Sequence, residues 1–247
     1  MKMFALRKTA RDEALAIRSV ARSHIGKVRS VNEDRLLDCS DHRLWAIADG
    51  MGGHHLGDKA ATMVVRALAQ LTETPEITRS QSIIKALESA NADILAMAKA
   101  AGHICGSTVA ALHVQGREGT IFWAGDSRIY RLRSGKLERL TRDHSVVQDM
   151  ADRGIITEAQ GRRHPQSNVI TRAIGIEDRS DLEHAVCSVM AGDVFVLCSD
   201  GLSGAIDDAW LMGLLTTSID NCANQLLNAA LEAGGHDNIS FILLQVT

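Results

Sequence analysis

The chain has 247 residues, of which 45% are hydrophobic, and its 27 lysines and arginines are nearly balanced by 30 aspartates and glutamates. The net charge of −3, with both signs interspersed, argues against nucleic acid or an anionic membrane surface as a partner. The length suffices for a sizeable core, and only two prolines and no low-complexity block interrupt it. The sequence therefore predicts one domain over residues 1–247.

The cysteines and the N-terminus indicate where the protein resides. Five cysteines, an odd number without CxxC spacing, lie mostly in apolar runs, which predicts buried free thiols in a reducing compartment. No apolar run approaches the roughly 20 residues of a membrane span, and residues 1–8 lack the apolar core of a signal peptide. We therefore expect a cytoplasmic protein that contacts no membrane.

The first part of the chain predicts an arm, three strands and two helices. Residues 1–15 are polar and mixed in charge, which is typical of a loose arm or a short helix. Alternating and continuous apolar runs predict strands, and a period of 3.6 residues predicts helices that begin after Asp58 and Ser80 as N-caps. The predicted strands are 17–23, 35–37 and 44–48, and the predicted helices are 59–71 and 81–101.

From Gly106 the apolar period changes to two, which predicts an antiparallel meander of strands at 108–114, 120–124, 129–133 and 137–140. Residues 141–167 are polar and weakly helical, as expected of an excursion from the core. Further strands are predicted at 169–174, 182–189, 194–198 and 239–246, with helices at 207–215 and 219–233. This order predicts an α+β fold of mainly antiparallel sheets with helix pairs outside them.

Four aspartates lie where predicted strands begin or end, namely Asp49, Asp126, Asp200 and Asp237. Each alone is more typical of a turn, and Asp49-Gly50 also fits a hairpin, although the helical period that follows it disfavours one. Together with Glu33-Asp34, they predict an acidic cluster. Oxygen ligands favour Mg²⁺, Mn²⁺ or Ca²⁺, and a cation is needed to offset the repulsion of gathered carboxylates.

Two other motifs compete with this interpretation. Residues 52–59 nearly match a phosphate-binding P-loop, but Asp58 stands where the lysine is needed and would repel phosphate. Asp143-His144-Ser145 contains the residue types of a catalytic triad, yet triads are built from residues distant in sequence, which disfavours this interpretation.

Eight short motifs, in this order, resemble the PPM (PP2C-like) family of metal-dependent protein serine/threonine phosphatases, from about residue 23 to the C-terminus. Met51 and Asn32 match bacterial members. The motifs are Arg29-x-x-Asn32-Glu33-Asp34, Ala48-Asp49-Gly50-Met51-Gly52-Gly53-His54, Gly106-Ser107-Thr108, Gly125-Asp126-Ser127-Arg128, Thr141-x-Asp143-His144-Ser145, Ile170-Thr171-Arg172-Ala173-Ile174-Gly175, Cys198-Ser199-Asp200-Gly201-Leu202 and Asp237-Asn238-Ile239-Ser240.

The resemblance implies a four-layer α-β-β-α sandwich with two Mn²⁺ or Mg²⁺ ions at one end of its two sheets. It implies that Asp49 bridges the ions, that Asp200 and Asp237 bind the first, and that the second is bound by the Gly50 carbonyl, Glu33 and Asp34. In bacterial members, the position of Asp126, with Asp200, holds a third ion. Arg29 corresponds to the phosphate clamp, for which its bidentate guanidinium is suited, while a solvated surface arginine is the alternative.

The resemblance further implies that a hydroxide bridging the two metals attacks phosphoserine or phosphothreonine directly, without a phosphoenzyme. Arg29 and the ions would neutralise the charge that develops on the phosphate. The leaving alkoxide needs a proton, from metal-bound water or from His54, although a histidine there can also simply cap the following helix.

Residues 145–167 match the flap of bacterial relatives, and we expect them to contact the substrate protein. The implied partners are phosphorylated proteins and a cognate serine/threonine kinase. Two alternatives stay open, a non-catalytic protein of this fold that binds a partner and a metal hydrolase of another phosphate ester.

Overall fold

The computed structural model describes residues 15–52, 56–73 and 80–247. The predicted N-terminal arm, apart from residue 15, lies outside these residues, as does His54. The strands are β1 Ile17–His24, β2 Asp34–Cys39, β3 Leu44–Gly52, β4 Cys105–Ser107, β5 Val109–Gln115, β6 Glu118–Ala124, β7 Arg128–Arg133, β8 Lys136–Arg139, β9 Glu183–Ser188, β10 Val194–Cys198 and β11 Ile239–Val246.

Two long helices follow β3, and the other helices lie in the second half of the chain. None of the helices in the described part of the chain has the length and apolar character needed to cross a bilayer. The helices are α1 Leu56–Gln70, α2 Ser80–Ala101, α3 Val146–Asp152, α4 Glu158–Gly161, α5 Asp200–Ser203, α6 Asp208–Leu214 and α7 Ile219–Glu232.

The strands form two sheets in which every pairing is antiparallel. One sheet has the order β1-β11-β10-β7-β8, and the other has the order β2-β3-β5-β6-β9 with β4 beside β3. Three apolar clusters separate the layers. Trp45 and Phe195 are among the buried residues between the sheets, whereas α1 and α2 pack on the β3 sheet and α6 and α7 on the β10 sheet. The predicted α-β-β-α sandwich is therefore confirmed.

The single predicted meander is wrong, because β6 and β7 belong to different sheets. β6 pairs with β5 and β9, whereas β7 pairs with β8 and β10. The chain crosses between the sheets at Gly125, whose φ of +104° favours glycine, and a 2.7 Å hydrogen bond between the hydroxyls of Thr108 and Ser127 fixes the crossing. An apolar period of two predicts a strand but not the sheet that it joins.

Two smaller expectations also differ from the structure, and one short helix was not predicted. Residues 169–174 make only isolated bridges, Ser145 with Ile170 and Ser107 with Ile174, so the strand predicted there is wrong. Helix α1 begins at Leu56, so Asp58 lies in its first turn, where it forms an ion pair with Arg35 at 3.2 Å. The short helix α5 has too few residues to show a period in the sequence.

Asn91 of α2 fixes the loop before β9, and its replacement should be costly. Its side chain is 2% exposed, donates to the Glu177 carbonyl at 2.9 Å and accepts from the Gly175 N–H at 2.7 Å. Asn91→Leu keeps the volume but leaves two backbone groups unpaired, so we expect urea unfolding to show a loss of about 2–4 kcal/mol. Ser89→Leu, at an exposed position of the same helix, should change stability by less than about 0.5 kcal/mol. Equal losses in the two variants would contradict the assigned role of Asn91.

Candidate metal centre

Asp34 and Asp49 are neighbours across two strands. They are directly opposed in the β2–β3 pairing, so their side chains project from the same face of the sheet. This face is directed towards the other sheet. Ser199, the residue directly after β10 of that sheet, donates from its hydroxyl to Asp34 Oδ2 at 2.9 Å. The geometry thus places two carboxylates between the sheets, where like charges destabilise each other unless something compensates them.

Asp49 lies within a strand, since β3 continues to Gly52 instead of ending at residue 48 as predicted. Its backbone N–H donates to Thr108 Oγ1 at 3.0 Å, and its carbonyl accepts from the Thr108 N–H at 2.8 Å. The next residue must be glycine, because a Cβ on Gly50 would collide with the Gly57 backbone in the first turn of α1. The site is therefore fixed by close packing of β3 against α1.

The other sheet contributes Asp200 and Asp237. Asp200 is the first residue of α5, one residue beyond the cap that follows β10, and Asp237 directly precedes Asn238 and β11. Because β10 and β11 pair antiparallel, these two loops meet at one edge of the sheet. Asp200 lies close enough to Asp49 for its charge to raise the pKa of Asp49, so the contributions of the two sheets meet at this point.

Asp126 comes from the crossing between the sheets and is 9% exposed. Burial raises its pKa well above the usual aspartate value, and repulsion from Asp200 and Asp143 adds to the effect, while Arg128 opposes it. The structure thus brings five predicted aspartates together, Asp34, Asp49, Asp126, Asp200 and Asp237.

Burial and mutual repulsion raise the pKa values of most of the carboxylates in this cluster. Burial is the largest cause of the raised pKa of Asp49, and repulsion from each of the other four aspartates raises it further. Burial also raises the pKa of Asp34 to about 7, although hydrogen bonds from Ser240 and Ser199 act in the opposite direction. Among the described residues, Asp34 Oδ1 and Asp200 Oδ1 are buried without a hydrogen-bond partner.

Arg29 lies at the rim of the cluster, where its Nη2 donates to Asp237 Oδ2 at 2.7 Å. Its side chain is 52% exposed. The hydrogen bond to Asp237 is the largest cause of its raised pKa, and the charges of Asp237, Asp200 and Asp49 add to it. The predicted phosphate clamp is therefore beside the carboxylates and is accessible from solvent.

Asn238 positions the segment that carries Arg29 and Glu33, a role that its place in a motif did not reveal. Its Nδ2 donates to the carbonyls of Ile25 and Val31, both at 3.0 Å, and its Oδ1 accepts from the Glu33 N–H at 2.8 Å. The Glu33 side chain lies near the start of α1. A Cβ added to Gly57, in the first turn of that helix, would be only 2.7 Å from Glu33 Oε1. A carboxylate at a helix N-terminus is stabilised by the helix dipole.

The described side chains are not arranged as a complete set of metal ligands. Within residues 15–52, 56–73 and 80–247, no three carboxylate, imidazole or thiolate groups are arranged as a metal site. Asp237 shows why, since Oδ2 is bound by Arg29 and Oδ1 accepts from the Asn238 N–H at 2.8 Å. His54, the predicted proton donor, lies outside the described residues.

The triad interpretation of Asp143-His144-Ser145 is wrong, because each side chain has a separate structural contact. Asp143 binds Arg128 through two oxygens, and Ser145 caps α3 by accepting from the Gln148 N–H at 3.2 Å. His144 Nδ1 accepts from the Gly125 N–H at 3.2 Å, so it supports the crossing that carries Asp126.

A cavity of about 320 Å³ extends from the aspartates to the predicted flap. The cavity is lined by Asp126, Asp200 and Asp237 and also by Gln148 and Arg162 from the segment around α3 and α4. The cluster is therefore reached through a space that the flap partly encloses.

Comparison with known proteins agrees with this geometry. A profile of the protein phosphatase 2C family matches residues 20–233. The serine/threonine protein phosphatase PstP of Mycobacterium tuberculosis is 35% identical over 237 residues, which are 94% of this chain. The chain spans less than half of that relative, because the match covers 45% of PstP.

Solved structures show the same fold over nearly the whole chain. PppA, a key regulatory component of T6SS in Pseudomonas aeruginosa, is 36% identical with a TM-score of 0.86, and the match covers 95% of this chain and 99% of PppA. The catalytic domain of PstP in complex with two manganese ions is 34% identical with a TM-score of 0.85, covering 94% of this chain and 99% of that one. This chain therefore belongs to the PPM (PP2C-like) family of protein serine/threonine phosphatases and is similar to its bacterial members.

Proposed function

We propose that this chain hydrolyses phosphoserine and phosphothreonine in proteins with the help of two Mn²⁺ or Mg²⁺ ions. The observation that carries the proposal is the convergence of five aspartates from both sheets, three of which line a cavity, in a chain of this family. Since the chain spans less than half of PstP, the proposal concerns the region that the two proteins share.

The residues of the cluster fit divalent cations. Mg²⁺ and Mn²⁺ prefer carboxylate and carbonyl oxygens, and the cluster offers only such donors. Two buried oxygens, Asp34 Oδ1 and Asp200 Oδ1, lack a hydrogen-bond partner among the described residues. A cation would satisfy these oxygens and remove the repulsion that raises the pKa of Asp49.

We propose the following ligands. Asp49 bridges the two ions, a role that suits the residue on which all the other aspartates act. Asp200 and Asp237 bind the first ion, while the Gly50 carbonyl, Glu33 and Asp34 bind the second directly or through water. Asp126, with Asp200, holds a third ion. Asp237 must exchange its contact with Arg29 for the ion, so side chains rearrange on binding.

When bound, the ions would supply Lewis acidity, which would lower the pKa of a water held at the site and make it a nucleophile at neutral pH. Arg29, once released from Asp237, donates two N–H groups to the phosphate oxygens and holds the phosphorus in line for attack. Its charge also stabilises the oxygens as negative charge develops on them. The leaving serine or threonine oxygen would take its proton either from a water at the metal centre or from His54.

The substrate is proposed to be a phosphoprotein made by a cognate serine/threonine kinase. The flap, residues 145–167, encloses one side of the cavity and would contact the protein part of the substrate, because the metal centre alone recognises only phosphate. The alternatives are a partner-binding protein without activity and a hydrolase of another phosphate ester. The complete set of carboxylates favours catalysis over binding alone.

The first prediction is metal-dependent phosphate release from a phosphothreonyl peptide. We expect turnover with Mn²⁺ and none with excess chelator. Asp49→Asn should lower kcat/KM by roughly 100-fold or more, which corresponds to about 2.7 kcal/mol of transition-state stabilisation. Asp220→Asn is the matched control, because Asp220 is exposed and pairs with Arg18 on the surface.

Two outcomes would contradict this prediction. A wild-type chain that binds Mn²⁺ but turns over no ester would indicate a partner-binding protein. Turnover of nucleotide or cyclic phosphodiester substrates without turnover of phosphopeptides would indicate a different hydrolase.

The second prediction concerns Arg29. Arg29→Ala should lower kcat/KM on the phosphopeptide by roughly 10- to 100-fold, because a charge-assisted contact of about 1.5–3 kcal/mol is lost. The affinity for Mn²⁺, measured by titration calorimetry, should stay equal or increase, because Arg29 no longer competes for Asp237. Arg18→Ala, at an exposed arginine that also binds an aspartate, is the control. An unchanged kcat/KM in Arg29→Ala would show that Arg29 is a solvated surface arginine without a role in catalysis.

The third prediction concerns pH. The pKa of Asp34 is raised to about 7 in the fold from about 3.9 in the unfolded chain. The folded metal-free protein therefore holds a proton that the unfolded chain has lost, so this contribution to stability disappears as pH rises through about 7. We expect the increase in Tm on adding Mn²⁺ to be larger at pH 7.5 than at pH 5.

Burial lowers the pKa values of His113 and His144, which gives the opposite pH trend, so the comparison must be made against a variant. Asparagine at position 34 does not titrate. The stability of metal-free Asp34→Asn relative to wild type should therefore increase as the pH rises from 5 to 7.5. A constant difference in the free energy of unfolding between the two proteins over this pH range would refute the assignment of the pH dependence to Asp34.

A further inference from the structure

Tyr130, the single tyrosine of the chain, is fully buried on β7 and has both hydrogen-bonding functions of its hydroxyl in use. The oxygen accepts from Arg128 Nη1 at 3.0 Å, and the O–H donates to Asp208 Oδ1 at 3.2 Å. Phenylalanine would fill the same apolar space, so packing alone does not require the hydroxyl.

Asp208 carries this chain of contacts to the flap. It is the first residue of α6, and its Oδ1 also accepts from Arg162 Nη2 at 3.3 Å. Arg162 directly follows α4, and its Nη1 donates to the Ser203 carbonyl of α5 at 3.0 Å. The second half of the flap is therefore attached to the β10 sheet side of the cavity through Arg162, and Arg139 of β8 adds a contact with Glu158 at 3.3 Å.

On the other side of the Tyr130 hydroxyl, the hydrogen bonds continue through Arg128 to Asp143. Arg128 binds Asp143 through Nε at 3.0 Å and Nη2 at 2.6 Å, and both side chains are largely buried. The neighbouring Arg142 binds Asp149 and Asp152 of α3, which is the first half of the flap. The second half of the flap is thus connected to Tyr130 through Asp208 and Arg162, whereas the first half is held by exposed ion pairs of Arg142, the residue before Asp143.

We propose that Tyr130 is a positioning residue for the flap, because its hydroxyl joins Asp208 and Arg162 to the Arg128–Asp143 pair. The flap is thereby held over the cavity that Asp126 and Asp200 line. The effect on phosphoprotein turnover rests on the proposed function, whereas the effect on the flap itself does not.

Amide hydrogen exchange followed by mass spectrometry tests the positioning role in the metal-free and in the Mn²⁺-loaded chain. Tyr130→Phe should speed exchange in residues 158–168 by roughly three- to tenfold and leave α7 unchanged. Asp208→Ala, which removes the contacts with both Tyr130 and Arg162, should have at least as large a local effect, and the double variant should not exceed Asp208→Ala, because Tyr130 acts on the flap through Asp208. Asp220→Ala, an aspartate in the first turn of α7, should leave residues 158–168 unchanged.

Unchanged exchange of residues 158–168 in Tyr130→Phe would overturn the proposal. So would an increase of equal size in α7, because that pattern indicates general destabilisation. Additive effects of Tyr130→Phe and Asp208→Ala would show that the two side chains act separately and would also overturn it.

Kinetics test the consequence for substrates. The ratio of kcat/KM on a phosphopeptide to that on a small aryl phosphate should fall roughly three- to tenfold in Tyr130→Phe, mainly through KM for the peptide. If exchange is faster but the ratio of the two kcat/KM values is unchanged, the position of the flap does not affect substrate binding. This result would overturn the proposed consequence for substrates. A wild-type chain without turnover would refute the proposed function, and the exchange comparison would still decide the positioning role.

Discussion

Repulsion among five aspartates is the interaction on which the functional end of this chain depends. Burial removes water from the carboxylates, and each aspartate then raises the pKa of Asp49. A buried carboxylate must be protonated, paired with a cation or bound to a metal. The two opposed sheets create this situation, because each delivers aspartates from its strands or from the segments next to them into a shared space.

The fold maintains the strained cluster through contacts that carry no charge. Thr108 holds the backbone of Asp49, Asn238 holds the segment of Arg29 and Glu33, and His144 supports the crossing at Gly125. Glycine at position 50 lets α1 approach β3. These contacts fix the backbone from which the carboxylates project.

Much of this arrangement could be predicted from the sequence, because strands and helices of sufficient length show their periods. Residues 239–246 were predicted as a strand and form β11 with the same bounds. The resemblance to the PPM family correctly indicated the sandwich. The sheet assignment of β7 was missed, because it depends on the positive φ of Gly125 and not on an apolar pattern. The supporting roles of Asn238, His144 and Tyr130 depend on contacts between residues distant in the chain, which no spacing reveals.

Titration calorimetry of the metal-free chain with Mn²⁺ tests the central claim most directly, because it measures the compensation of the aspartates without any substrate. The account predicts at least two ions per chain in the wild type, loss of both tight sites in Asp49→Asn, and loss of only a weaker third site in Asp126→Asn. A wild-type chain that binds no ion, or an Asp49→Asn variant that binds as the wild type does, would contradict it.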